Sequence, residues 1–142
     1  MLKLVFLTKK FYDTYASCPQ IEQKETRPYI RVQVMINGVM WAIPLRSNIN
    51  HEYAIWTDKD NKCGIDVTKA VVIENPNAYI SADRPYMRKN EFEVLKTIDQ
   101  HTVVQKFQKH IKDYKKAKTN PKIKRNKNIL DFSTLQYFEK YI

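Results

Sequence analysis

The sequence predicts an α+β domain, with an antiparallel sheet in its first half and helices through most of its second. Three observations carry this. Residues 28–45 read as a hairpin: Ile30, Val32, Val34 and Ile36 alternate with Tyr29, Arg31, Gln33 and Met35, and Asn37-Gly38 supplies the two positive-φ positions of a type I′ turn before Val39, Trp41 and Ile43 resume the period of two. Ile65, Val67 and the run Ala70-Val71-Val72-Ile73 predict a buried strand, closed by Asn75-Pro76-Asn77. From Pro85 onward the apolar period lengthens to that of a helix. With 142 residues and 43% hydrophobic content, the chain reads as one domain, 1–142, large enough for one core and too small for two.

Taken in order, Leu2, Leu4 and Phe6 alternate with Lys3, Val5 and Leu7, which predicts a first strand. Thr8 is placed to cap a short helix carrying Lys9, Lys10, Phe11, Tyr12 and Tyr15. Cations interleaved with aromatics suit RNA, whose bases stack on rings while cations hold phosphates; the same rings equally suit a helix packed on a sheet. Ser17 to Arg27 is polar, contains Pro19 and reads as a loop. Pro44 has no N–H for a ladder, so the second hairpin strand is expected to become an edge or to end near it. Tyr53 to Trp56 reads as a short strand, and Asp58 to Lys62 as an exposed turn leading to Gly64.

In the second half, Asn90 with Glu93 predicts a helix cap with the helix running to Ile98. Thr102 with Gln105 repeats the spacing and opens another helix, with Val103, Phe107, Ile111 and Tyr114 on one face. His101 falls in the break and His110 beside the stripe; both read as structural or surface residues. Lys115 to Asn128 then carries Lys115, Lys116, Lys118, Lys122, Lys124, Arg125 and Lys127 without an acidic residue. Two readings fit it: a solvated linker, or an RNA-gripping arm that orders on binding. Ser133 with Gln136 marks a last capping box, after which Leu135, Phe138 and Tyr141 dock a final helix.

A net charge of +10 and a pI near 9.6 point to a polyanionic partner, because Lys and Arg displace the counterions condensed on phosphate backbones. A compositional bias is the alternative, since 19 of the 25 cations are Lys. Cys18 and Cys63 form no CxxC pair and no Cys/His ligand spacing, so no metal site or other cofactor is expected and a reduced cytoplasmic setting fits. No apolar run reaches signal-peptide or membrane-spanning length. A DNA-binding regulator is disfavoured by the lack of a helix-turn-helix with a compact basic recognition helix.

The stretch richest in chemistry runs from Trp41 to His51, an apolar strand that opens into Arg46, Ser47, Asn48 and His51. RNA is cut without metal when its 2′-OH attacks the neighbouring phosphate, leaving a 2′,3′-cyclic phosphate and a 5′-OH. A protein assisting this step moves protons and stabilises charge on the phosphoryl oxygens. His51 suits proton transfer, Arg46 suits a phosphoryl clamp, Ser47 suits a hydrogen bond to the 2′-OH or phosphate, and Lys69 is a second candidate cation. A non-catalytic RNA-binding module is the rival class.

Ile43-Pro44-Leu45-Arg46-Ser47 with His51, then Gly64 to Ile73, then Pro85-Tyr86 before two helices, and finally Phe132-Ser133-Thr134-Leu135 with Tyr141 resemble the endoribonuclease toxins of type III toxin–antitoxin systems. These are the ToxN and AbiQ group, and the Arg-Ser-Asn-Ile…His version is most similar to its TenpN branch. The resemblance implies a compact, strongly bent antiparallel sheet of the MazF/Kid type with surrounding helices. It further implies a metal-independent RNase that cleaves mRNA and processes a repetitive antitoxin RNA, whose folded units inhibit the toxin in closed protein–RNA assemblies. Phage-triggered abortive infection and locus maintenance are the implied cellular roles. The family's catalytic Pro-Leu-(Thr/Ser)-Ser loop maps onto Arg46 and Ser47, and a tyrosine near the chain start maps onto Phe11 or Tyr12, of which Tyr12 is the candidate. Where that pattern continues Pro-Lys, this chain has Asn48-Ile49, so Arg46 or Lys69 must supply the missing cation and a larger share of acid–base work falls to His51.

Overall fold

Strand β3 (Val39–Arg46) is the spine of an antiparallel six-stranded sheet. The computed structural model describes residues 1–21 and 29–142. On one side β3 pairs with β2 (Arg31–Ile36), from Ile36↔Val39 to Arg31↔Pro44, and β2 in turn pairs with β1 (Lys3–Val5). Asn37 and Gly38 have φ of 51° and 79°, so the turn between β2 and β3 has the positive-φ pair expected of it. On the other side β3 changes partner: Trp41 and Ala42 pair with β6 (Val71–Val72), whereas Leu45 and Arg46 pair with β5 (Cys63–Asp66), which carries β4 (Ala54–Asp58) at the edge.

That exchange explains Pro44, which lies in a central strand: β3 ends close to it, at Arg46, as one of the two expectations has it, but does not become an edge. The Leu45 N–H donates to the Ile30 carbonyl at 2.9 Å on the β2 side, so by alternation the missing Pro44 donor faces the opposite side. There it meets the gap between β5 and β6, where no ladder bond is due. The gap is a 3₁₀ turn, Val67–Lys69, which interrupts the single strand predicted from Ile65 to Ile73. Gly64 has a separate role: a Cβ there would lie 2.4 Å from the Ile55 carbonyl oxygen, so only glycine lets β4 approach β5 at this point.

Thr8 caps α1 (Lys9–Thr14) by accepting the Phe11 N–H, as predicted. The predicted loop over residues 17–27 lies outside the described residues from 22 onward. Asn75 caps a single-turn helix, α2 (Pro76–Tyr79). Helix α3 (Lys89–Leu95) begins after Arg88 and places Asn90 inside its first turn, so Asn90 is not the cap and the helix stops short of Ile98. Helix α4 (Gln100–Thr119) is capped by Asp99, whose carboxylate accepts the Thr102 N–H at 2.8 Å and the Thr102 hydroxyl at 2.9 Å; Thr102 is inside the helix, and so is His101. The buried stripe of α4 is Val103, Phe107, His110, Tyr114 and Ala117, with His110 in the place expected of Ile111. Phe107 and Phe138 both meet Trp41 edge-on, at 4.8 and 6.1 Å, which locks α4 and the C-terminal residues to the spine of the sheet.

The basic segment 115–128 is neither a linker nor an unordered arm. Its first residues complete α4, and after a short turn α5 (Lys124–Phe132) folds back on it. Burial of Tyr114 and Ala117 on α4 and of Ile129 on α5 in the core supplies what the charge pattern conceals. Ser133 does cap the next element, accepting the Leu135 N–H, but that element is a 3₁₀ turn, Thr134–Tyr137, followed by another at Glu139–Tyr141.

Gly64→Ala is expected to cost about 1–3 kcal/mol of stability, as overpacking against a rigid backbone does. Gly38→Ala, whose new methyl meets nothing within 4 Å, should cost only about 1 kcal/mol for its positive φ. Urea unfolding midpoints rank the two; equal losses would contradict the close approach of β4.

Candidate functional site

Arg46 ends β3, and its side chain meets a carboxylate from the end of β5. Asp66 is fully buried, and both of its oxygens are used. Oδ1 accepts the Thr68 N–H at 3.0 Å and the Thr68 hydroxyl at 2.6 Å, which starts the 3₁₀ turn. Oδ2 accepts Arg46 Nη1 at 2.8 Å and faces His51 Nε2 at 3.3 Å. Burial pushes the Asp66 carboxyl up, but the hydrogen bond and electrostatic pull of His51, with the hydrogen bonds from Thr68 and Arg46, outweigh it and hold the group down at about 2.

The connection from β3 to β4 is pinned at Ile49, which is buried and whose N–H donates to the Lys62 carbonyl at 3.1 Å. Asn48 takes a positive φ of 58°, turning the chain at the mouth of the strand. His51 Nδ1 accepts the Tyr53 N–H at 3.1 Å, which places the ring proton on Nε2, toward Asp66. Thr68 Oγ1 lies 3.4 Å from the same Nε2, and the Phe132 ring stacks on the imidazole at 5.7 Å and 11°. Both ring nitrogens of His51 are therefore engaged within the fold.

Beside this cluster lies a small open cleft lined by Gln20, Ile21, Tyr29, Arg31, Pro44, Arg46 and Lys69. Lys69 is held there by Gln20 Oε1 at 2.7 Å and the Phe132 carbonyl at 2.8 Å. The structure thus brings Arg46 together with His51 through Asp66, and Arg46 together with Lys69 across the cleft. Ser47 follows Arg46 on the exposed loop, and its hydroxyl makes no hydrogen bond to a described residue. The Tyr12 ring meets Phe11 edge-on at 5.4 Å and packs against the core.

The RNA-binding candidates fall on two surfaces. Lys9 and Lys10 are exposed on α1, where Lys9 pairs with Asp13 at 2.7 Å. Lys115, Lys116, Lys118, Lys122, Lys124, Arg125 and Lys127 are exposed on the α4–α5 hairpin. Lys118 pairs with Glu139, and Arg125 reaches Glu52 in the β3–β4 connection at 3.0 Å, joining the basic hairpin to the site loop. Among the described residues no group of three or more His, Cys, Asp or Glu is placed to hold a metal, and no helix is long and apolar enough to cross a membrane.

Sequence reasoning missed Asp66, Thr68, Phe132 and Arg31. Asp66 carried a signal, an acid between Ile65 and Val67 in a run read as buried, since a buried carboxylate demands cationic or N–H partners. Phe132 carried none, because it reaches His51 only through the fold of α5. His110 is confirmed as structural: it is buried, bonded to Ser133 Oγ at 2.9 Å, and burial lowers its pKa to about 4. No family model, curated protein or solved structure matches this chain.

These two groups carry the largest depressions and dominate the acid response, with smaller ones at Asp99 and Asp113. In each case the unfolded chain binds the proton more readily, so stability is complete above the unfolded pKa and falls with pH. His110 should lose its share between about pH 6.5 and 4, and Asp66 a further share, on the order of 2 kcal/mol, between about pH 4 and 2. Denaturant melts across this range should show the lower step vanish in Asp66→Asn and the upper step vanish in His110→Gln; a wild-type profile flat from pH 7 to 4 would contradict the buried neutral imidazole.

Proposed function

We propose that the chain is an endoribonuclease of the type III toxin kind, with its reaction centre where β3 opens into Arg46 and Ser47. The observation that carries this reading is the cleft that Arg46 and Lys69 both line, with the exposed Ser47 next to Arg46 in the chain and a basic helical hairpin touching the site loop through Arg125 and Glu52. The toxin assignment, the MazF/Kid-like description of the sheet and the inhibitory repetitive RNA rest on the motif resemblance.

In the proposed reaction the 2′-oxygen bonds to phosphorus as the bond from phosphorus to the 5′-oxygen breaks. The 2′ proton leaves to solvent, and solvent protonates the departing 5′-oxygen. Arg46 and Lys69 stabilise the charge that builds on the phosphoryl oxygens, where fixed cations act most strongly. Ser47 hydrogen-bonds the 2′-OH or the phosphate. His51 acts through Asp66, holding the carboxylate that orients Arg46, because neither of its ring nitrogens is available to substrate. That engagement also favours the second reading, a binding module that holds RNA without cutting it.

Ser47→Ala separates the two. Its stability should change by no more than about 0.5 kcal/mol, whereas cleavage of single-stranded RNA in excess EDTA should fall on the order of 10²-fold. Affinity for RNA should stay the same, and the wild-type products should carry 2′,3′-cyclic phosphate ends. Wild-type protein that binds RNA and leaves it intact would establish the binding module instead. His51→Ala should lower the rate while keeping the shape of the pH–rate profile; a profile that flattens near neutrality would make His51 the proton carrier. Neutralising Lys122, Lys124 and Arg125 together should flatten the salt dependence of RNA binding, by about 0.7–0.9 of log–log slope for each phosphate that the hairpin no longer neutralises. An unchanged slope would remove the hairpin from the RNA path.

A further inference from the structure

We infer that Arg31 is the buried anchor of a phosphate-binding subsite at the floor of the cleft, a proposal that rests on the RNA-binding reading for its ligand and on Arg31 alone for its geometry. Arg31 begins β2, and its residue is only 2% exposed. A guanidinium cannot shed its proton at such a site, so its charge stays inside the protein. Among the described residues no carboxylate pairs with it. Its Nη1 reaches two backbone carbonyls at long range, Ala42 at 3.5 Å and Lys69 at 3.4 Å, and its buried Nε donates to nothing among the described residues.

Buried arginines are ordinarily paired and hydrogen-bonded, because an isolated charge out of water is strongly disfavoured. Here the guanidinium instead lines an open cleft that also holds Arg46 and Lys69. Three cations around one depression, the deepest with its Nε–H unpartnered among the described residues, match an anion with several oxygens on one centre. The planar fork of N–H donors suits a phosphodiester, which presents two unesterified oxygens to it. The cleft is small and open to solvent; Ile21 and Pro44 supply an apolar wall, and Pro44 is the register partner of Arg31. Alternation along β2 puts Arg31 on the face opposite Val32 and Val34, which is the face the cleft occupies.

The probe is an octamer of 2′-O-methyl RNA, which keeps the phosphodiesters and lacks the attacking hydroxyl, so binding is read apart from cleavage. Inorganic phosphate is the second probe, read as a shift in thermal midpoint. Arg31→Met removes the charge and keeps the volume, and Arg31→Lys keeps the charge without the fork. Arg31→Met should melt no lower than wild type in phosphate-free buffer, since an unpaired buried charge is gone. It should bind the octamer at least about tenfold more weakly, the loss of a charge-assisted hydrogen bond, and its log–log salt slope should shrink by about 0.7. Phosphate should raise the midpoint of wild type, raise that of Arg31→Lys less, and leave that of Arg31→Met unmoved.

Unchanged octamer affinity and slope in folded Arg31→Met would overturn the subsite while leaving the ribonuclease reading intact. If wild type ignores the octamer yet is stabilised by phosphate through Arg31, the anion site stands and the RNA reading falls. Should Arg31→Met fail to fold, Arg31→Lys carries the test: the same octamer affinity and the same phosphate shift as wild type would overturn the fork as the recognising group.

Discussion

The carboxylate of Asp66 is the constraint on which the candidate site depends. Four donors from three segments converge on it: Arg46 from the central strand, His51 from the loop that follows, and the amide and hydroxyl of Thr68 from the turn that interrupts β5 and β6. A fully buried anion is tolerable only with such a shell, and the shell fixes the positions of its members in return. The depression of Asp66 to about 2 measures that balance, because desolvation works against it and the hydrogen bonds win. Arg46 is therefore aimed before any ligand arrives, which is the preorganisation an electrostatic clamp needs.

The same turn resolves the problem of Pro44. A proline in a central strand leaves a hole in the ladder, and the chain places that hole opposite Val67–Lys69, where the partner strand is absent. The turn then sends the Lys69 side chain to the cleft and the Lys69 carbonyl to Arg31. One irregularity in the sheet thus accommodates the proline, supplies the N–H that Asp66 accepts, and delivers a cation to the site.

What the sequence disclosed follows the range of the interactions involved. The hairpin around Asn37-Gly38, the Thr8 cap and the Ser133 cap were legible because each is decided within a few residues. The caps at Asn90 and Thr102 were misplaced because the capping-box spacing occurs there by coincidence, while Asp99 offers a stronger acceptor just ahead of Thr102. The basic segment was misread because its charges mask the sparse apolar positions that fold it into a hairpin. Arg31 stood on the outward side of an alternating strand; Gln20, Ile21 and Lys69, which cover that side, come from segments no period can connect to it.

Order in the basic hairpin changes the energetics expected of a nucleic-acid contact. An unstructured arm must lose conformational freedom when it grips RNA, and that loss offsets part of its electrostatic attraction. Lys122, Lys124 and Arg125 are presented on a turn and helix already packed by Tyr114, Ala117 and Ile129, so that loss occurs on folding. Arg125 also contacts Glu52, one residue beyond His51, through an exposed ion pair that sets the hairpin beside the site loop. Under the proposed function, a polyanion laid along the hairpin would run toward the site loop, where Arg46 is held in place by Asp66 and the Ser47 hydroxyl has no hydrogen bond to a described residue.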